Sequence, residues 1–75
     1  FNSHFIMQQA EKLAARLGAD AGGDPADQVR RAFRLFYGRP ATDAEVADAT
    51  DFIAAHSLAD FCRAMFNTNE FLFIF

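Results

Sequence analysis

The sequence predicts an all-α fold: a compact bundle of four short helices followed by a short C-terminal turn. Three observations predict it. Apolar residues recur at three- and four-residue spacing along most of the chain, which is the period of an amphipathic helix. Helix start and stop signals break that pattern at Asp24-Pro25, at Gly38 and Pro40, at Thr42 with Glu45, and at Ser57 with Asp60. Alternation of the strand type is confined to the last three residues, Phe73-Ile74-Phe75.

The first helix is expected over about Ser3 to Leu17. Ser3 can cap its free N–H groups. Ile6, Ala10, Leu13, Ala14 and Leu17 share one face, with Gln8, Glu11, Lys12 and Arg16 opposite. Gly18 then offers a left-handed C-cap, and residues 19–23 read as a small loop. Asp24-Pro25 opens the second helix, since Asp is a strong N-cap and Pro at the first helical position loses no needed hydrogen bond. Its buried stripe is Val29, Ala32, Phe33 and Phe36; Gly38 ends it and Pro40 prevents its continuation.

Thr42-Asp43-Ala44-Glu45 has the form of a capping box, so the third helix starts near Asp43. Val46, Ala49, Phe52 and Ile53 face inward, and the helix fades near Ala55-His56. Ser57 with Asp60 repeats the cap logic for a fourth helix over about Leu58 to Phe66, with Leu58, Phe61, Cys62, Met65 and Phe66 toward the core. Thr68 is placed to cap one last turn through Leu72. The expected core comprises Ile6, Leu13, Val29, Phe33, Phe36, Val46, Phe52, Ile53, Phe61, Met65 and Phe66.

Composition bounds the function. The chain has 75 residues, enough for one domain over 1–75, and 52% are hydrophobic, too many for a disordered acidic tail. The net charge of -3 argues against nucleic acid as a partner, because such modules carry a basic footprint. A domain this small buries only roughly 60% of its unfolded surface. Cys62 is the one cysteine, so no intrachain disulfide supports it, and His4 and His56 stand alone without zinc-ligand spacing. Dense packing of ten Phe residues and burial against another chain or domain remain as supports. No apolar run approaches the ~20 residues of a membrane span. The opening Phe1-Asn2-Ser3-His4 lacks a signal-peptide pattern and a Met, so the chain is expected to be a fragment of a longer protein.

Three constellations could carry chemistry, and each has a plainer structural account. A Cys62–His56 pair would need hydrogen-bond reach and an electropositive cleft, but Cys62 lies on the apolar stripe of its helix. Asp43, Glu45, Asp48 and Asp51 line one helix without the spacing of a calcium loop, and read as a solvated acidic face. Arg30, Arg31, Arg34 and Arg39 could bind an anion, since guanidinium groups favour bidentate recognition of carboxylate or phosphate. Intrachain pairing, such as Arg31 with Asp27 at i,i+4, is the preferred account of that cluster. No catalytic residue and no cofactor is expected. The ending is different. Core packing accounts for Phe66 and Phe71, whereas Phe73, Ile74 and Phe75 are expected to meet a partner surface.

Two stretches resemble a known family. The run from Arg31 to Glu45, carrying Gly38-Arg39-Pro40, and the run from Phe61 to Leu72, carrying Asn67-Thr68-Asn69-Glu70-Phe71-Leu72, are similar to the C-terminal end of domain of unknown function 1553. The opening Phe1 to Ala10 is similar to the same family. The resemblance covers most of the chain in the right order, with Thr68 standing for the usual Ser and Phe73-Ile74-Phe75 for Tyr, Val and Asp. It implies an all-α tail domain of a planctomycete-type secreted protein associated with cytochrome-c-like modules, and hence an extracytoplasmic location. It carries no catalytic residue. It gives Gly38, Thr42, Asn67, Thr68 and Glu70 structural roles, and the joint occurrence of its two motifs implies an ion pair between Arg39 and Glu70, with Arg34 as the alternative partner.

Together these point to a non-catalytic helical packing or interaction module, docked on the rest of its parent chain or on a second copy as a weak homodimer. The alternative is a domain binding a carboxylated or sulfated glycan, or another anionic ligand, through Arg30, Arg34 and Arg39.

Overall fold

Four helices occupy residues 3–68, the residues that the computed structural model describes: α1 (Ser3–Ala21), α2 (Pro25–Tyr37), α3 (Asp43–Ala55) and α4 (Leu58–Thr68). Their order and number are those the hydrophobic period predicts. α1 packs chiefly on α4 and α2 on α3, with α1–α2 and α3–α4 contacts closing the bundle.

The caps act as their chemistry dictates. Asp24 holds an extended backbone and its side chain accepts from the Ala26 N–H at 3.1 Å, with Pro25 at the first helical position. Gly38 adopts the left-handed region at φ 67°, and its N–H donates to the Arg34 carbonyl at 3.0 Å. At the start of α3 the Thr42 hydroxyl accepts from the Glu45 N–H at 3.1 Å, while the Glu45 carboxylate accepts from the Thr42 N–H at 2.9 Å. Both arms of the capping box are present. The Ser57 hydroxyl accepts from the Asp60 N–H at 3.0 Å and so caps α4.

Two boundaries differ from expectation. α1 does not stop at Leu17: Gly18 lies inside it, and the left-handed residue is Gly22, at φ 65°, just past Ala21. A glycine weakens a helix without ending it, and Ala19, Asp20 and Ala21 all tolerate helical backbone. The Arg16–Asp20 pair at 3.6 Å spans the added turn. α4 likewise runs through Asn67 and Thr68. The Thr68 hydroxyl donates back to the Ala64 carbonyl at 2.7 Å and the Met65 carbonyl at 3.1 Å, so Thr68 belongs to the last turn of α4. The expected turn over 69–72 lies outside the described residues.

The core joins all four helices. Leu17 of α1, Val29 of α2 and Cys62 of α4 are fully buried, and Ala10, Ala32, Phe33, Ala49, Phe61 and Met65 complete the cluster around them. Ile6 is also buried, while Leu13, Phe36, Val46, Ile53 and Phe66 pack partly buried on the cluster as expected. Phe36 meets Phe66 edge to face with ring centroids 5.1 Å apart. One expected core residue is misplaced. Phe52 is 36% exposed, and its ring lies against His56 with centroids 4.6 Å apart. The only fully enclosed apolar position of α3 is Ala49, so Phe52, three residues on, falls at the margin of the interface rather than in it.

Gln28 is a buried polar residue that the hydrophobic pattern does not predict. Its side-chain amide donates to the Gly22 carbonyl at 2.7 Å, so the turn between α1 and α2 is satisfied from inside.

Candidate functional site

The α2–α3 connection builds a small charged cluster. Gly38 turns the chain out of α2 and places Arg39 beside the first turn of α3. Its two terminal guanidinium nitrogens donate to the two Glu45 carboxylate oxygens, each at 2.8 Å, a bidentate pair. Arg39 also donates to the Pro40 carbonyl at 3.0 Å. The guanidinium lies 5.5 Å from the Phe33 ring centroid and 5.3 Å from that of Tyr37, within cation–π range of both. Glu45 therefore serves the helix cap and the arginine at once. The hydrogen bonds from Arg39, then from the Thr42 backbone, hold its carboxyl down at about 2, and Glu45 in turn raises the Arg39 pKa. Both side chains are partly exposed, so the pair is screened by salt. The expected partner of Arg39, Glu70, lies outside the described residues.

The other arginines separate from this cluster. Arg31 donates to Asp27 at 3.2 Å, as the i,i+4 spacing predicts. Arg34, in the last turn of α2, lines a groove of about 190 Å³ between α1 and α2, together with Arg16, Asp20, Arg31 and the apolar Leu17 and Leu35. Arg30 is exposed on α2 and lines neither that groove nor the Arg39 cluster. The anion-binding set read from sequence is thus divided: Arg34 joins Arg16 and Arg31, and Arg39 is engaged by Glu45.

The Cys62–His56 pair takes the structural form. Cys62 is fully enclosed in the core, and burial pushes its thiol up to about 11. His56 is exposed at the end of α3, against Phe52. Among the described residues no cluster of three or more His, Cys, Asp or Glu side chains could hold a metal ion, and no helix is long and apolar enough to cross a membrane.

A wider groove lies between α3 and α4. It holds about 310 Å³ and opens broadly to solvent. Phe33, Phe61, Met65 and Ala49 reach its floor from the core, Phe52 forms one wall, and Ala64 with Thr68 lines the α4 side. Polar groups stand at its edge, where Glu45 and Asp48 contribute carboxylates. The sequence pattern does not predict this groove, whose lining mixes small residues, Ala49 on α3 and Ala64 on α4, with the large Phe52, Phe61 and Met65. Phe73, Ile74 and Phe75, the expected interaction surface, lie outside the described residues, but the chain reaches Thr68 at the side of this groove.

Compared with protein-family models, with curated proteins and with solved structures, the chain finds no match.

Proposed function

We propose that the chain is a non-catalytic helical packing and interaction module at the C-terminal end of a larger extracytoplasmic protein, of the kind that the resemblance to domain of unknown function 1553 implies. One observation carries the interaction reading. A solvent-open apolar groove sits beside the end of α4, and the sequence beyond Thr68 runs Asn69-Glu70 and then Phe71-Leu72-Phe73-Ile74-Phe75. Apolar surface of this kind is stabilised by leaving water, at about 25 cal/mol per Å² buried. The partner is the rest of the parent chain, or a second copy when the chain is alone, with Phe73, Ile74 and Phe75 at the contact. Sedimentation equilibrium of the native chain and of a Phe73→Ser, Phe75→Ser variant tests this. Concentration-dependent association lost in the variant supports it; a native chain that stays monomeric at high concentration rejects it.

The second reading is an anion-binding domain using Arg30, Arg34 and Arg39. The observation that favours it is the placement of Arg34 beside Arg16 and Arg31 along one groove. Titration with a sulfated oligosaccharide at low and high salt separates the two readings. Binding that weakens with salt and with Arg34→Ala is required for the second.

A further inference from the structure

Resting on the reading of Phe73, Ile74 and Phe75 as an interaction surface, we infer that the α3–α4 groove is the acceptor for residues 73–75 of a second copy of this chain, exchanged reciprocally about a two-fold axis.

The groove's chemistry selects the occupant. Its floor is aromatic and aliphatic, and of its two edge carboxylates Glu45 is already held by Arg39. A segment that fits must therefore present large apolar groups and need not bring a charge. Phe73, Ile74 and Phe75 are all apolar and their side chains carry none. The length also fits. Phe61 to Thr68, the α4 side of the groove, spans about 10 Å at ~1.5 Å per residue. Residues 73–75 in extended form cover about 10 Å, enough to lie along it.

Two arguments favour a second copy over the chain's own end. In an extended segment Phe73 and Phe75 share one side and Ile74 takes the other. A single groove covers one side only. In a two-fold arrangement the second side meets the same side of the symmetry-related segment, so both are covered. The area agrees as well. Each buried Phe removes roughly 150–250 Å² from water. Phe73 and Phe75 of the two copies amount to roughly 600–1,000 Å², and the groove walls they cover add about as much again, which reaches the ~1,200–2,000 Å² of a stable interface. The contact is isologous, so it closes at two copies and does not propagate.

The test uses the full chain. Ala64 is exposed and lines the groove, and glutamate is a good helix former, so Ala64→Glu places a charge in the acceptor while leaving the helix intact. Sedimentation equilibrium should show dimerisation at least about tenfold weaker in Ala64→Glu, with unchanged circular dichroism. Adding Phe73→Ser to it should cost less than the two single effects combined, because both act on one contact. Isotope-filtered nuclear Overhauser spectra of mixed labelled and unlabelled native chain should connect the Met65 methyl of one copy to phenylalanine rings of the other. If Phe73→Ser, Phe75→Ser abolishes the dimer but Ala64→Glu dimerises as the native chain does, self-association stands and the groove assignment falls. Overhauser contacts confined to one copy mean that the chain fills its own groove, and overturn the inference. A strictly monomeric native chain removes the inference together with the reading on which it rests. The spectra need no variant, so an unfolded Ala64→Glu chain would leave the assignment decidable.

Discussion

Replacing Gly18 by alanine should stabilise the protein, and the same change at Gly22 should do the opposite. Gly18 lies within α1, three residues before its end, without a positive φ, and a Cβ added there meets nothing within 4 Å. The added methyl neither clashes nor gains packing, so the effect reduces to helix propensity. Alanine exceeds glycine in a helix interior by about 0.8–1.0 kcal/mol. For a domain of this size a change of 1 kcal/mol moves the melting temperature by roughly 4–8 °C. A rise of about 3–8 °C is therefore expected for Gly18→Ala. At Gly22 a Cβ is equally free of neighbours, but φ is 65°, and an L-residue in the left-handed region pays about 1–2 kcal/mol. Gly22→Ala should lower the melting temperature by a comparable amount. Thermal melts followed by circular dichroism measure both. A fall for Gly18→Ala would refute the reasoning, because it would put the left-handed end of α1 at Gly18.

Other perturbations reach the caps and the core. Glu45 titrates at about 2 in the folded chain against an ordinary 4.5, so its contribution to stability is complete above about 4.5 and is lost as pH falls through about 2. The stability difference between native protein and Glu45→Gln, followed by urea denaturation, should be largest near neutral pH and shrink over that acid range; a difference independent of pH would contradict the Arg39–Glu45 pairing. Leu17→Ala removes a fully buried side chain and should cost about 2–5 kcal/mol, a large part of the stability of a small domain. A denaturation midpoint within error of the native one would show that the core is not centred there. The Cys62 thiol, enclosed and raised to about 11, should resist thiol reagents in the native state and react promptly in denaturant. Equal labelling rates in the two states would contradict its burial.

How much of this was legible in the sequence depends on how local the cause is. The caps at Asp24, Gly38, Thr42 and Ser57 involve residues within four positions of one another, and each forms as its sequence pattern predicts. The end of α1 departs from its sequence signal because Gly18 is a weak breaker. Its cost of about 1 kcal/mol is overridden when Leu17 beside it is locked in the core. Phe52 has the spacing of a core residue, but spacing gives a helix face and not how far that face reaches into its neighbours. The Arg39–Glu45 pair was half visible: Glu45 was read as a cap, and its second partner depended on the turn through Pro40 and Ala41. The α3–α4 groove depends on the relative placement of two helices, and no periodicity within either one encodes it.

The central claim is that the protein associates through apolar surface at the α3–α4 groove. Its most direct test is the dimer dissociation constant of the native chain, measured by sedimentation equilibrium at low and at high salt. Apolar docking predicts association that is undiminished at high salt, where exposed charge pairs are screened. Association that weakens progressively as salt is raised, or a chain that remains monomeric in both, would contradict the account.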